Sequence, residues 1–230
     1  MKWRSLDEQQ NPDAGLTLGQ RLDERRQLMC QYVPQASQEI NRRTVEELRQ
    51  SGIAERILQV GHAAPDFTLP DHDGNPVALA SLLAKGPVVV VFFRGRWCPF
   101  CVGQLEALNE FLPQIQAAGA SLIAISPQTV KQCFFMRDQH KLGFPLLSDA
   151  GNSVSRQFGL VYRVPDSQRE LYARTFVNLP FLNGDASWEL PLPAMYVIAP
   201  GGKVLYAAAD PDYTVRPEPA EALRNLRFEI

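Results

Sequence analysis

The sequence predicts an α/β fold, in which a central mixed sheet is flanked by helices and preceded by an N-terminal helical extension. The run GPVVVVFF at residues 86–93 lacks polar alternation, which is typical of a strand buried on both faces. Strand and helix patterns then alternate up to residue 158, which favours parallel strands joined by helical crossovers. We therefore divide the chain into an extension at residues 1–60 and an α/β domain at residues 61–230.

The extension has the periodicity of helices and contains no strand pattern. A first helix is predicted from Leu18 until Pro34 interrupts the apolar repeat. A second helix is predicted to begin near residue 43, because Thr44 and Glu47 have the spacing of a capping box. Gly52 marks its end.

The α/β domain follows with short strands and turn signals. Asp73-Gly74 predicts a hairpin turn, and Pro200-Gly201-Gly202 predicts a second antiparallel hairpin near the C-terminus. Residues 163–191 interrupt the alternation and are interpreted as an insertion. Strands are predicted at 67–69, 88–93, 121–126, 145–147, 195–198 and 204–208, and helices at 99–119, 129–141, 153–158 and 218–227.

Composition excludes several classes of function. Lys and Arg number 23 against 25 Asp and Glu, a net charge of −2, which argues against a nucleic-acid or anionic-membrane partner. No apolar run approaches the roughly 20 residues of a membrane span. The N-terminus lacks the pattern of a secretory signal, so a cytoplasmic location is expected. Four cysteines in such a compartment indicate redox or metal chemistry.

The pair Cys98 and Cys101 carries the strongest signal. Pro99 is suited to the first position of a helix, which puts Cys98 at a helix N-terminus where amide donors and the dipole lower a thiol pKa. Arg94 and Arg96 add nearby positive charge. Cys101 follows one helical turn later and can attack or bridge Cys98. We predict that Cys98, and not Cys101, has the lowered pKa.

Two other interpretations of the pair are weaker. A zinc site would need a second ligand pair, but Cys30 and Cys133 stand alone and the three histidines lack ligand spacing. Two inert buried cysteines remain an alternative. Redox chemistry without a metal or organic cofactor is favoured.

The chain resembles the peroxiredoxin-like branch of the alkyl hydroperoxide reductase and thiol-specific antioxidant (AhpC/TSA) family over about residues 61–215. The resemblance rests on the segments APDFTLPD at 64–71, GPVVVVFFRGRWCPFC at 86–101, IAISPQ at 123–128 and FPLLSD at 144–149. It implies a thioredoxin fold. It also implies that a thiolate at Cys98 attacks the peroxide O–O bond, becomes a sulfenic acid and is resolved to a disulfide by Cys101.

The sequence departs from typical peroxiredoxins at three positions. Val91 and Gly95 stand where a proline and a threonine or serine are usual, and Pro193 stands where an arginine is usual. Arg94 or Arg96 would have to replace that arginine. Pro193 instead resembles the cis-proline that faces the dithiol in thioredoxins, so we predict a cis Leu192–Pro193 bond beside Cys98.

The candidate site thus contains four catalytic residues and four residues that contact substrate. The catalytic candidates are Cys98, Cys101, Arg94 and Arg96, and the substrate-contacting candidates are Trp97, Pro99, Trp188 and Pro193.

Thiol-dependent reduction of hydroperoxides, with thioredoxin or a glutathione-type thiol as reductant, is the predicted function. A thiol–disulfide oxidoreductase acting on protein disulfides is one alternative. A redox-inert binding or assembly protein is another. A homodimer is compatible with the helical extension.

Overall fold

A computed structural model of the protein describes residues 15–226. The helices are α1 Leu18–Tyr32, α2 Gln35–Gln50, α3 Ile53–Arg56, α4 Leu79–Leu83, α5 Pro99–Ala117, α6 Val130–Gln139, α7 Ser153–Gln157, α8 Asp166–Arg174, α9 Leu179–Asn183 and α10 Pro219–Leu226. The strands are β1 Thr68–Pro70, β2 Pro76–Ala78, β3 Val88–Phe92, β4 Ser121–Ser126, β5 Leu146–Ser148, β6 Val161–Arg163, β7 Glu189–Pro191, β8 Ala194–Ile198 and β9 Val204–Ala209.

A five-stranded mixed sheet in the order β5-β4-β3-β8-β9 forms the centre of the fold. Strand β3 pairs with β4 in parallel and with β8 in antiparallel orientation. Every residue of β3 is buried, as the unbroken run of valines predicted. The predicted α/β fold with a central mixed sheet is confirmed.

The two faces of the sheet bury separate apolar clusters. Val88, Val90 and Phe92 face one cluster. Val89 and Val91 face the other, which also contains the two cysteines of the redox motif and residues of α1, α5, α6 and α10. Successive side chains of β3 point to opposite faces of the sheet, so this strand contributes to both clusters. The cysteine pair lies on the face covered by α5.

Helix α1 follows the predicted bounds, whereas α2 begins earlier than predicted. Thr44 lies inside α2 and its hydroxyl donates to the Ile40 carbonyl, so the predicted capping box there is wrong. The chain re-enters a helix directly after Pro34, because the proline fixes only its own φ and leaves the following residues free to be helical. The capping box occurs instead at Thr17 and Gln20.

The insertion at residues 163–191 is a helical excursion closed by a small β-ribbon. Strands β6 and β7 pair at its two ends and bring α8 and α9 back to the body of the protein. Helix α8 contributes Tyr172 and Leu171 to the buried residues. No helix within residues 15–226 is long and apolar enough to cross a membrane. The division at residue 60 stays a prediction, and the predicted helix end at Arg227 lies outside the described residues.

Candidate active site

The cysteine pair sits where β3 runs into α5. Cys98 is the N-cap residue of α5, and its amide donates to the Gly95 carbonyl to close the preceding turn. Cys101 lies in the first turn of the helix. Both thiols are free and almost fully buried, with relative exposures of 1% and 0%. The helix start predicted at Pro99 is confirmed.

The pKa values of the two thiols are shifted in opposite directions, and the lowered one is not that of Cys98. Burial, together with a hydrogen bond to Cys101 and the negative charge on that sulfur, raises the pKa of Cys98 well above its ordinary value. Burial also opposes ionisation of Cys101. The hydrogen bond from Cys98 and the positive charges of Arg216 and Arg94 outweigh that cost and lower the pKa of Cys101 to about 5.

The prediction that Cys98 alone has a lowered pKa is therefore wrong. The Cys98 side chain makes no capping hydrogen bond to the amides of α5, so it gains little from the helix start. The guanidinium that bonds a sulfur reaches Cys101 instead. The pKa of Cys98 is therefore raised and that of Cys101 lowered, in the opposite sense to the prediction.

Arg94 is buried beside the pair with an exposure of 1%. Its guanidinium carbon lies 4.7 Å from the ring centroid of Trp97 and 4.3 Å from that of Tyr213, and one nitrogen donates to the Tyr172 hydroxyl. Its charge acts on both cysteines. Of the two arginines predicted from the sequence, Arg94 is the one that the fold brings to the sulfurs.

Arg96 points elsewhere. It is exposed, and its Nε donates to Gln132 Oε1 at 2.8 Å, while its amide donates to Gln128 Oε1 at 2.8 Å. It therefore anchors the turn before Cys98 to the start of α6. No contact between its guanidinium and either sulfur is observed in the described residues.

Arg216 was not among the residues predicted from the sequence, and neither were Tyr172 and Tyr213. Arg216 Nη2 lies 3.5 Å from Cys101 Sγ and donates to it, and its Nη1 donates to the Val215 carbonyl at 2.7 Å. It arrives from the segment between β9 and α10, 115 residues after Cys101. Only the clustering of Tyr213 and Arg216 before a C-terminal helix could have indicated this segment, and no spacing links it to the cysteines.

Four aromatic residues pack around Arg94 and the cluster that contains the cysteine pair, and we call them the aromatic cage: Trp97, Phe100, Tyr172 and Tyr213. Trp97 packs edge-on against Tyr172 with ring centroids 5.1 Å apart, and Phe100 packs against Tyr213 at 5.8 Å. Burial raises the pKa of Tyr213 to about 12 and that of Tyr172 well above its ordinary value, so both hydroxyls stay protonated. Trp97 thus lies at the site, as predicted, and α8 supplies part of the cover.

Gly95 gives the turn the room it needs. Its φ is +148°, and a Cβ there would lie 2.6 Å from Trp97 Nε1. A larger side chain would push the indole out of the cage. The glycine found in place of the usual threonine or serine is therefore required by the position of Trp97.

Two further candidates contact other parts of the fold. Pro99 occupies the first position of α5, and its carbonyl accepts a hydrogen bond from Arg25 of α1 at 2.7 Å. Trp188 is partly buried against the apolar cluster on the opposite face of the sheet, and the Arg169 guanidinium lies 5.5 Å from its ring centroid.

Pro193 is buried immediately before β8, but the predicted cis bond is wrong. No peptide bond in the described residues is cis, so Leu192–Pro193 is trans. The Leu192 amide donates to the Leu160 carbonyl, and Ala194 pairs with Phe92, which carries the extended chain straight into β8. The position of Pro193 just before a strand resembles the thioredoxin pattern, but the backbone at Pro193 stays extended and does not turn.

The other two cysteines do not join the pair. Cys133 is fully buried against Ser126, and burial raises its pKa to about 12. Cys30 is exposed on α1. Cys133 behaves as a small core residue, as expected for an unactivated thiol.

The fold and the paired thiols at a strand–helix junction define a thioredoxin-fold protein of the peroxiredoxin class. The sequence profile of the AhpC/TSA family matches residues 60–207. The chain belongs to the AhpC/TSA family. Tyr213 and Arg216 lie beyond the matched residues.

Relatives and solved structures agree with this assignment. Chloroplastic peroxiredoxin Q of Sedum lineare is 34% identical over 113 residues, which is 49% of this chain and 60% of that protein. A putative peroxiredoxin of Mycobacterium tuberculosis is 32% identical over 103 residues, 45% of this chain and 67% of that protein. The chain spans about half to two thirds of the length of such relatives.

Among solved structures, peroxidoxin BcpB from M. tuberculosis superposes with a TM-score of 0.60 at 25% identity, covering 75% of this chain and 99% of that one. Peroxiredoxin Q from Xanthomonas campestris has a TM-score of 0.57 at 20% identity, covering 76% of this chain and 98% of that one. The second comparison supports the fold alone.

Proposed function

We propose that the protein reduces hydroperoxides with the thiols of Cys98 and Cys101, and that Arg94 and Arg216 stabilise the charge that moves between them. One observation carries the proposal. Two buried thiols at the start of a helix lie beside two guanidiniums, one of which donates to Cys101 Sγ, in a chain of the AhpC/TSA family.

The first step is attack on the peroxide by Cys98. The proton that the pair shares shifts to Cys101, which leaves the thiolate on Cys98. This thiolate attacks one peroxide oxygen, the O–O bond breaks, and the product is a sulfenic acid on Cys98 plus an alkoxide. The alkoxide takes the proton from Cys101 and leaves as the alcohol. Arg94, which lies against Trp97 and Tyr213, contributes a positive charge that acts on both sulfurs.

The second step forms the disulfide. The Cys101 thiolate attacks the Cys98 sulfur, the S–O bond breaks and hydroxide leaves. Cys101 is already a thiolate at this point, because the alkoxide took its proton in the first step, and Arg216 contacts its sulfur. The two thiols together lose two electrons and the peroxide gains them.

Several finer features belong to the same proposal. Trp97, Pro99, Trp188 and Pro193 are offered as residues that contact the peroxide or its carrier. Thioredoxin or a glutathione-type thiol is offered as the electron donor in a reducing, cytoplasmic setting. A homodimer and the division at residue 60 also stay proposals.

Peroxide consumption tests the proposal directly. We expect the reduced protein to consume hydrogen peroxide or an alkyl hydroperoxide and Cys98→Ser to abolish this. Cys101→Ser should complete about one turnover and leave a sulfenic acid on Cys98 that a dimedone-type probe traps.

Reduction of insulin disulfides is the competing assay. If the protein reduces insulin disulfides but does not consume peroxide, it is a thiol–disulfide oxidoreductase. The Cys-x-x-Cys spacing favours this second function. If Cys98→Ser and Cys101→Ser change neither assay, the chain is a redox-inert binding protein. Thioredoxin-dependent turnover by Cys101→Ser at the full rate would exclude Cys101 as the resolving thiol.

A further inference from the structure

Arg216 approaches the cysteine pair from the side of Cys101. Its side chain is 9% exposed, and one guanidinium nitrogen contacts Cys101 Sγ while the other is held by the Val215 carbonyl. The segment that carries it is tied to α1, because Arg26 donates to the Thr214 carbonyl at 2.9 Å. The guanidinium is thus held against one sulfur of the pair.

The charge on Arg216 has no carboxylate to balance it. Within residues 15–226, neither Arg216 nor Arg94 is hydrogen-bonded or ion-paired to an Asp or Glu side chain. A buried guanidinium without a counter-ion is costly. The acceptor that one of its nitrogens reaches is Cys101 Sγ, and the positive charge of Arg216 lowers the pKa of that thiol.

We propose that Arg216 is a catalytic residue of the reductive half-reaction, in which it stabilises Cys101 as the leaving thiolate and so directs the reducing thiol to Cys98. This role rests on the proposed function, because it requires that the Cys98–Cys101 disulfide forms.

The exchange balances with a dithiol as the reductant. One thiolate of the dithiol attacks Cys98 Sγ, a mixed disulfide forms, and the Cys98–Cys101 bond breaks with its electron pair on Cys101 Sγ beside Arg216. The second thiol of the dithiol, as its thiolate, attacks the dithiol sulfur of the mixed disulfide. Cys98 leaves and takes up a proton. The dithiol is oxidised and the protein pair is reduced.

The direction of attack follows from the leaving group. Thiol–disulfide exchange is faster when the departing sulfur has the lower pKa. Attack at Cys98 releases the sulfur that Arg216 contacts, whereas attack at Cys101 would release the sulfur without that contact.

The test starts from protein oxidised with diamide, so that peroxide plays no part in it. The rate of reduction by dithiothreitol is measured for the wild type, Arg216→Met and Arg216→Lys. Methionine keeps an apolar stem and removes the charge, whereas lysine keeps the charge. We expect Arg216→Met to be reduced about tenfold more slowly, and Arg216→Lys to stay within about threefold of the wild type.

Equilibrium with dithiothreitol gives a second readout, which loosened packing alone would not move in this pattern. The equilibrium constant of Arg216→Met should shift about tenfold toward the disulfide, or about 30 mV. Arg216→Gln supplies a second neutral variant with the same expectation if the methionine variant does not fold.

Equal rates and equal equilibrium constants for the wild type and the neutral variants would overturn the role of Arg216 and leave the proposed function standing. Equal losses in Arg216→Lys and Arg216→Met would also overturn it, since charge would then be irrelevant. Failure of diamide to link Cys98 to Cys101 in the wild type would overturn both.

Discussion

Gly95 shows how a single missing side chain shapes the site. Its backbone has a φ that side chains rarely adopt, and the space beside it is filled by the Trp97 indole. The position belongs to the turn that Cys98 closes. The lack of a side chain at Gly95 therefore permits both the backbone conformation of this turn and the position of the Trp97 ring.

We expect Gly95→Ala to lower the free energy of unfolding by about 2 kcal/mol, because it combines an unfavourable φ with a clash against Trp97. Urea unfolding measures the change. Gly201→Ala is the matched control, since no atom lies within 4 Å of a Cβ at that position. Its effect should stay within about 0.5 kcal/mol. Equal effects in the two variants would contradict our account of Gly95.

The charge on Cys101 predicts the pH dependence of the pair. Thiolate absorbance near 240 nm should titrate with a midpoint at about 5 in the reduced protein and move upward in Arg216→Met. The pKa of Cys101 in the folded protein lies below that of a free thiol, about 8.5. The thiolate therefore stabilises the reduced fold, and this contribution is complete above a pH of about 8.5. The contribution is lost as the pH falls through about 5.

Cys101→Ser is the control for this titration. It should remove the step at about 5 and, with it, the part of the pH dependence of stability that lies between the two pKa values. A midpoint near that of a free thiol in the wild type would mean that the two arginines do not stabilise the anion.

At the scale of elements, α1 connects the segment before α10 to the helix that carries the cysteines. The amides of Leu18 and Gly19 donate to the carboxylate of Glu218, which precedes α10. Further along α1, Arg25 donates to the Pro99 carbonyl in the first turn of α5. The first helix is thus bonded both to the C-terminal segment and to the helix that carries the cysteines.

Glu218→Ala removes two charge-assisted bonds at the N-terminus of α1, where a carboxylate is also favoured by the helix dipole. We expect it to destabilise the protein by about 2 kcal/mol and to speed amide exchange in α1. Glu170→Ala, which breaks only an exposed pair with Arg174, should cost less than about 0.5 kcal/mol. Unchanged exchange in α1 would argue against the anchoring role of Glu218.

The elements predicted well from the sequence are those with a local cause. An unbroken valine run predicted β3, and proline after Cys98 predicted the start of α5. The start of α2 was missed because Thr44 and Glu47 match a capping box equally well inside a helix. Arg216 was missed because its contact with Cys101 joins segments far apart in the chain, and Pro193 was misjudged because register does not determine the isomer of a peptide bond.

At the scale of the whole molecule, the site is assembled from distant parts of the chain. The cysteines come from the β3–α5 junction, Tyr172 from the insertion, and Tyr213 and Arg216 from the segment before α10. The sequence predicted the dithiol and Arg94, which lie within one stretch. It could not predict the residues that close over them, because no local pattern marks them.

The enclosure of Cys98 has a kinetic consequence. Cys98 is 1% exposed, so under the proposed function a peroxide reaches its sulfur only when the surrounding residues move apart. When attack is faster than reclosing, the oxidation rate becomes the opening rate. We expect the observed rate to reach a plateau at high peroxide concentration, at the same value for hydrogen peroxide and cumene hydroperoxide. Stopped-flow fluorescence of the reduced protein measures it.

Tyr172→Ala removes the ring that packs against Trp97 and the hydroxyl that accepts a hydrogen bond from Arg94, and should therefore raise the plateau. Phe134→Ala, on an exposed ring of α6, should leave it unchanged. A rate that stays proportional to peroxide concentration, with a slope set by the chemistry of each peroxide, would mean that the sulfur is reached without opening. If the plateau is found, a more reactive oxidant will not raise the maximum rate of oxidation. Only a change that makes the protein open more often will raise it.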